Sequence, residues 1–359
     1  MKKNVLYIIH SWLDLSKHKR TTIGGTSLHA YDIIKKTLDK YNYFVLSVME
    51  DEYILTAYIG KKSNVYNTGV KCKTKLFDKY DENYKKLLFK IVEKLNINII
   101  HIHHLLGHSF DILTVMQKYN RLTKIITIHD YFFVCPQINL LYKSCKLCEE
   151  ERNVCCKECI NKEFDLKTRK KIVKEILSLA DDIIIPNSSI KEEMDKTYKG
   201  LKYTVIEHGI DMQRYKKKIS DVDIKKKRIA FIGVRDETKG SLLIRKIIHK
   251  MKKTQMHVFG STNEIKLKTS FYNYTYHGEY RREEITKLLT KNQINLVCLL
   301  SIWPETYCYT LSETIYSGIP VLGIDLGAIG ERVRRQNIGW LIPANSTVDE
   351  IIRKYRRNL

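Results

Sequence analysis

An α/β protein built from two doubly wound domains is the fold class the sequence predicts, and three observations predict it. Short apolar runs alternate with amphipathic helical stretches from one end of the chain to the other. The alternation restarts near residue 205. The chain has 359 residues, 43% of them hydrophobic, which is too long for one ordinary core and enough to fill two.

The first strand set is Val5–Ile9, Phe44–Ser47, Ile97–Ile102, Ile125–Ile128 and Asp182–Pro186, each a short apolar or β-branched run. Leu28–Leu38, Glu82–Leu95 and Leu166–Leu179 carry the helical period and lie between them. The second strand set is Ile229–Ile232, His257–Phe259, Thr275–His277, Leu296–Leu300 and Val321–Ile324. Its helices are Ser241–Met251, Glu283–Lys291, Tyr309–Ser317 and Ile329–Arg335. Strand–helix alternation implies parallel sheets covered on both faces, with ligands at the carboxyl ends of the strands. Expected domains are 1–204, with a Cys-rich loop at 135–160, and 205–345; a basic amphipathic helix occupies 346–359.

The formal net charge is +23. It favours anionic partners such as nucleotides, nucleic acid or acidic lipid. The lysines are spread along the whole chain, so charge alone does not choose among these. No run reaches the roughly 18 apolar residues that span a bilayer. His10 ends the first apolar run too early for a signal peptide, so the chain reads as cytoplasmic. The nine cysteines then read as thiols or metal ligands rather than disulfides.

Six segments could carry chemistry. In Trp303-Pro-Glu-Thr-Tyr-Cys-Tyr-Thr-Leu-Ser-Glu313, Pro304 and a turn place Glu305 just before a helix, and Glu313 lies two turns on. Free N–H groups at Tyr307, Cys308 and Tyr309 would mark the helix start and suit anions and hydroxyls. Phe231-Ile-Gly-Val-Arg-Asp-Glu-Thr-Lys-Gly240 follows a strand and opens a helix, so Arg235 or Lys239 could reach a pyrophosphate. Gly24-Gly25 opens the first helix and lets backbone approach a phosphate. His129-Asp130 and His101-x-His103-His104 end strands, where either cleft residues or packed, capping histidines belong. Cys145-x2-Cys148-x6-Cys155-Cys156-x2-Cys159 could hold a structural zinc through Cys145, Cys148, Cys156 and Cys159, or be thiols in a lid. Asp221-Val-Asp223 mimics a metal-binding pair, but it sits in a Lys-rich loop far from the motif helix, and no catalytic divalent metal is expected.

The block Pro304–Gly318, followed by Pro320-Val321 and Asp325–Glu331, resembles the donor-binding signature of glycosyltransferase family four, a Glu-x7-Glu pair followed by Gly-x-Pro-Val. Gly24-Gly25, His129-Asp130, His208-Gly-Ile-Asp211 and Lys239-Gly240 follow the family's order. The resemblance implies the GT-B fold, two Rossmann-like domains facing a central cleft. It implies a retaining transfer from a nucleoside-diphosphate sugar to a glycan or lipid-linked acceptor in cell-surface polysaccharide synthesis. By the same resemblance, Glu305 and His129 are catalytic; Gly24, Gly25, Arg235, Lys239, Tyr307, Cys308, Tyr309 and Glu313 bind the donor; and His29, His103 and His104 lie on the acceptor side. Two departures are Val234 where the family has Arg, with Arg235 one residue later, and Cys308 where Gly is usual. The wording Trp-Pro-Glu-Thr-Tyr-x-Tyr-Thr-Leu is similar to enzymes of rhamnose-containing polysaccharides. Peripheral contact with an anionic inner membrane face, helped by Arg353–Arg357, fits a lipid-linked acceptor. The alternatives are a GT-B sugar-nucleotide epimerase and a zinc-dependent nucleic-acid-binding protein. The second draws on the charge, the cysteines and the basic, aromatic stretch Tyr53–Tyr84. It lacks any RNA-binding signature or recognition-helix spacing, and no nucleic-acid partner is expected.

Overall fold

The computed structural model describes residues 2–12, 24–142, 146–148, 159, 164–209, 228–234, 236–261 and 273–358. The chain divides into two compact units: Met1–Asn139 with Glu149–His208, and Leu140–Cys148 with Gly209–Leu359.

In the first unit the elements run β1 (Lys3–Ile8), α1 (Gly25–Thr37), β2 (Tyr41–Met49), β3 (Glu52–Ile59), β4 (Lys62–Lys71), α2 (Glu82–Lys94), β5 (Ile99–Ile102), α3 (Asp111–Lys118) and β6 (Thr123–Thr127). The stretch Leu140–Cys148, which belongs to the second unit, forms a two-stranded ribbon of β7 (Leu141–Tyr142) and β8 (Lys146–Leu147). The first unit continues with α4 (Leu166–Ser178), β9 (Asp182–Ile185), α5 (Ser189–Asp195) and β10 (Thr204–Val205). The sheet order is β10-β9-β6-β5-β1-β2-β3-β4. All neighbours are parallel except the two antiparallel pairs β2–β3 and β3–β4.

The helices form where the sequence supplies both a cap and an apolar stripe. Asp81 accepts from the N–H groups of Asn83 and Tyr84 to start α2. That helix buries Tyr84, Leu87, Leu88, Ile91 and Val92, the spacing of one helical face. Asp165 caps α4 in the same way. Strand β5 begins at Ile99 rather than Ile97, because the Ile97 N–H turns back to the Val92 carbonyl at 3.1 Å. The basic, aromatic stretch that begins at Tyr53 is mostly sheet, with Tyr53 and Tyr58 buried on β3.

The second unit runs β11 (Arg228–Ile232), α6 (Ser241–Lys250), β12 (Gln255–Phe259), β13 (Tyr274–Gly278), α7 (Ile285–Lys291), β14 (Leu296–Leu299), α8 (Tyr309–Ser317), β15 (Val321–Ile324), α9 (Gly327–Gln336), β16 (Gly339–Ile342) and α10 (Val348–Asn358). The strands of its six-stranded sheet are all parallel, in the order β13-β12-β11-β14-β15-β16. Numbered within the unit, this is the 3-2-1-4-5-6 order of a dinucleotide-binding Rossmann sheet.

Alternate strand residues feed two cores. Ile229 and Phe231 point to one face, with Ile244, Ile248, Leu296, Ile351 and Ile352. Ala230 and Ile232 point to the other, with Leu289, Val297, Leu311, Val321 and Val333. Each fully buried aliphatic side chain contributes about 1.5–3 kcal/mol, so both faces are tightly fixed. Among the described residues, no helix is long and apolar enough to cross a membrane.

Candidate active site

In a doubly wound sheet, ligand loops sit at the carboxyl ends of the strands where the order reverses. In the second unit this point lies between β11 and β14, and the two loops that leave those strands carry Lys239 and Glu305.

The β11 loop turns at Gly233, whose φ is 68°. Asp236 then accepts from the Thr238 N–H at 3.0 Å and starts a 3₁₀ turn, Glu237–Lys239. Gly240 follows with φ 79°, and a side chain there would strike the Leu300 carbonyl. The β14 loop is tied alongside by the Ile302 N–H, which donates to the Thr238 carbonyl at 3.0 Å. Lys239 Nζ therefore stands 2.6 Å from Glu305 Oε2, with the carboxylate nearly buried. The Ser301 hydroxyl donates to Glu305 Oε1, and the Lys239 ammonium lies 5.5 Å from the Trp303 ring centre.

Past Glu305 the chain makes a left-handed turn at Cys308, φ 63°, and enters α8. The Cys308 thiol faces the core cluster of Ile232, Leu299 and Leu311, so the main chain rather than the sulfur is what this position can offer a ligand. Burial pushes that thiol up to about 12. Tyr307 is buried, and the Tyr309 ring packs edge-on to it at 4.8 Å. The Arg282 guanidinium lies 4.9 Å from the Tyr309 ring centre.

Glu313, expected on the same helix, is only 1% exposed. Tyr280 donates to its Oε2 at 3.4 Å and Arg282 stands 3.7 Å from its Oε1. Burial raises its pKa from 4.5 to about 7, because one long contact to a partly exposed guanidinium offsets little of the desolvation. Between those two values the folded protein holds a proton that the unfolded chain has released, so stability falls as pH rises through the window. Glu313→Gln should therefore stabilise the protein, by up to about 3 kcal/mol at pH 8 and little at pH 5. Urea unfolding at both pH values measures this; equal stabilities at pH 8 would mean that Arg282 fully compensates the carboxylate.

In the first unit the corresponding loops leave β1, β5 and β6. Gly24 is the exposed N-cap residue of α1, Gly25 is its first residue, and His29 lies one turn in. The N–H groups of His103 and His104 both donate to the Ile8 carbonyl, at 2.9 and 3.2 Å. The His103 ring stacks between His101, at 4.0 Å, and His129, at 5.2 Å, and its Nδ1 meets His129 Nε2 at 3.0 Å. His29, His129 and His208 gather with ring centres 3.9–5.2 Å apart. His103 is fully buried.

His104 takes a different partner. Its Nδ1 accepts from the Leu106 N–H at 3.0 Å, and its Nε2 pairs with Asp130 Oδ2 at 3.1 Å. Burial would raise Asp130, but the His104 ring and the Phe132 N–H outweigh it and hold the carboxyl below its usual range. Burial pushes His29 and His108 down to about 4 and His101 to about 3, and lowers His103 and His129 strongly, so these rings are neutral at pH 7.

The turn after His129 is held by Arg169 of α4, a wholly buried guanidinium. It donates to the carbonyls of Phe132, Phe133 (3.4 Å) and Leu76 (3.3 Å), and lies 4.7 Å from the Phe132 ring centre.

Several sequence-predicted residues, Arg235, Asp221, Asp223, Asp211, Cys145, Cys155 and Cys156, lie outside the described residues. Cys148 donates its N–H to the Leu140 carbonyl at 2.8 Å, and the Cys159 carbonyl accepts from Gln137 at 2.8 Å. Among the described residues, no group of three or more His, Cys, Asp or Glu is arranged to hold a metal ion. The sequence reading missed Ser301, Tyr280, Arg282 and Arg169, none of which stands in a motif. A cavity of about 400 Å³ lined by Ile315, Ile319, Asn337 and Trp340 lies at the amino ends of β15 and β16, the wrong end of the sheet for this chemistry.

Residues 212–359 match the family model described as glycosyl transferases group 1. The match lies within the second unit and includes Lys239, Glu305 and Glu313. No curated protein sequence matches the chain. Among solved structures, the chain is similar to sucrose-phosphate synthase from Thermosynechococcus elongatus, with TM-score 0.67 and 13% identity over 99% of this chain and 89% of that one. The Anabaena HepE structure in complex with UDP gives TM-score 0.60 and 13% identity, covering 100% and 92%. The lipopolysaccharide outer core galactosyltransferase WaaB gives 0.60 and 12%, covering 99% and 89%. At such identities the likeness is one of fold, and the fold class is GT-B: two Rossmann-like α/β domains with parallel sheets.

Proposed function

We propose that this protein is a retaining glycosyltransferase that moves a sugar from a nucleoside-diphosphate donor to a glycan or lipid-linked acceptor in cell-surface polysaccharide synthesis. The observation that carries the reading is the Lys239–Glu305 pair, 2.6 Å apart at the switch point of a Rossmann sheet, with the buried Glu313 further along the same segment. An ammonium beside a carboxylate suits a ligand that is anionic at one end and rich in hydroxyls at the other. The family match over the second unit supports the same ligand class.

On this reading Lys239 neutralises the charge that develops on the departing diphosphate. Glu305 orients the sugar through its hydroxyls, and Glu313 holds the ribose. Gly24 and Gly25 are assigned to the diphosphate. His129 is assigned to the reacting face of the sugar, and His29, His103 and His104 to the acceptor side. With no carboxylate assigned as nucleophile, the acceptor hydroxyl enters from the face the leaving group vacates, and the leaving phosphate accepts its proton. Arg353–Arg357 would meet an anionic membrane face, with the protein cytoplasmic.

A thermal-shift panel of UDP-, GDP- and dTDP-sugars, dTDP-rhamnose among them, tests the donor. UDP-sugars come first because the HepE structure holds UDP. A melting-temperature rise of several degrees with one donor class is expected, as about 100-fold saturation adds about 2.7 kcal/mol. No response to any sugar nucleotide would remove the reading. Conversion of the donor sugar with no acceptor present would replace it with an epimerase.

A further inference from the structure

Resting on the reading of Trp303–Glu313 as the donor segment, we propose that Arg332 is a positioning residue that sets the shape of this segment by holding its backbone from beneath. Cys308 is in the left-handed region at φ 63°, ψ 82°, a conformation that a residue with a Cβ rarely adopts. Glycine takes such a turn unaided; cysteine needs the surroundings to impose it.

Arg332 supplies that hold. It is 3% exposed. Its Nη1 donates to the Tyr307 carbonyl at 2.7 Å and the Cys308 carbonyl at 3.3 Å, so it grips both sides of the left-handed residue. Its Nη2 donates to Ser312 Oγ at 2.8 Å, and the Ser312 hydroxyl donates to the Tyr307 hydroxyl at 3.1 Å. The guanidinium carbon lies 4.4 Å from the Tyr307 ring centre. The two Nη atoms of one planar fork serve all three acceptors at once.

One turn earlier on α9, the Ala328 N–H donates to the Glu305 carbonyl at 2.7 Å. Residues 328 and 332 share one helical stripe. The stripe therefore fixes the carbonyls of Glu305, Tyr307 and Cys308 in register, while the two working carboxylates leave from either end of the fixed stretch. Arg332 touches no ligand in this scheme; it acts through the turn.

The test is a coupling between positions 332 and 308 in the full-length protein, using R332M, R332K, C308G and the C308G/R332M double variant. The probe is UDP-glucose, followed by titration calorimetry. R332M should weaken binding about tenfold or more, since neighbours in one hydrogen-bond network couple strongly. R332K, which keeps the cation but not the fork, should recover part of that loss. In the C308G background R332M should cost less than about threefold, because glycine holds the turn itself. Equal losses in both backgrounds would overturn the clamp. If the unaltered protein binds no UDP-glucose, that failure belongs to the donor reading. The clamp is then read from melting temperatures without ligand, where R332M should cause a larger drop with Cys308 present than in the C308G background. Equal drops would overturn it, and R332K serves wherever R332M does not fold.

Discussion

Glu305→Ala is expected to lower kcat/KM for sugar transfer by about 10²–10³-fold, the scale seen when one preorganised polar group is taken from a reacting centre. The carboxylate is 5% exposed and bonded to both Lys239 and Ser301. Its loss removes the group assigned to the sugar hydroxyls and also releases Lys239, 27% exposed, to turn toward solvent. Both effects act at the reacting end of the donor, so kcat should fall along with kcat/KM. Glu313→Ala should differ, raising KM for the donor while kcat changes less, since it removes a group assigned to the ribose. Initial rates against donor concentration separate the two. Undiminished turnover in both variants would end the glycosyltransferase reading.

A steep loss of stability below pH 6.5 is the second large effect. His101, His103 and His108 are at most 7% exposed, and burial lowers all three. Their folded pKa values lie below the ordinary 6.5, so above that pH they contribute no pH dependence. As pH falls, the unfolded chain takes up protons that the folded protein refuses, and stability declines down to the folded values near 3 to 4. Each ring then costs about 1.4 kcal/mol per pH unit, or about 6 kcal/mol for the three at pH 5. That is comparable to the whole stability of an ordinary domain, about 5–15 kcal/mol. Melting curves from pH 7.5 to 5 should show the first unit failing first. His101→Gln, which cannot protonate, should flatten the slope. A melting temperature constant over this range would show that the imidazoles gain protons inside the fold.

The strand–helix rhythm was legible in the sequence because parallel strands buried on both faces are continuous apolar runs, as in Ile229–Ile232 and Leu296–Leu299. The Lys239 and Glu305 segments were legible because each is bounded by Gly or Pro at a strand end. Strands β3 and β4 were not: Lys62–Lys71 is a mostly exposed edge whose polar residues carry no burial pattern. The burial of Glu313 was equally hidden, since a Glu two turns into a helix normally faces water. The same holds for Arg169 and Arg332, which read as surface cations and turn out to be interior donors to main-chain carbonyls. The histidine stack was visible only as His-x-His; its partners His29, His129 and His208 come from distant segments that the sheet brings together.

Arg169 has a consequence for the order in which the first unit assembles. Its acceptors lie 93, 37 and 36 residues upstream, at Leu76, Phe132 and Phe133. Closing spans of that length costs chain entropy that only a nearly complete core repays. The bend that presents His129 should therefore set late, after α4 has docked. On the ribosome it cannot set until residue 169 has emerged, and weakening it should hasten unfolding far more than it slows folding.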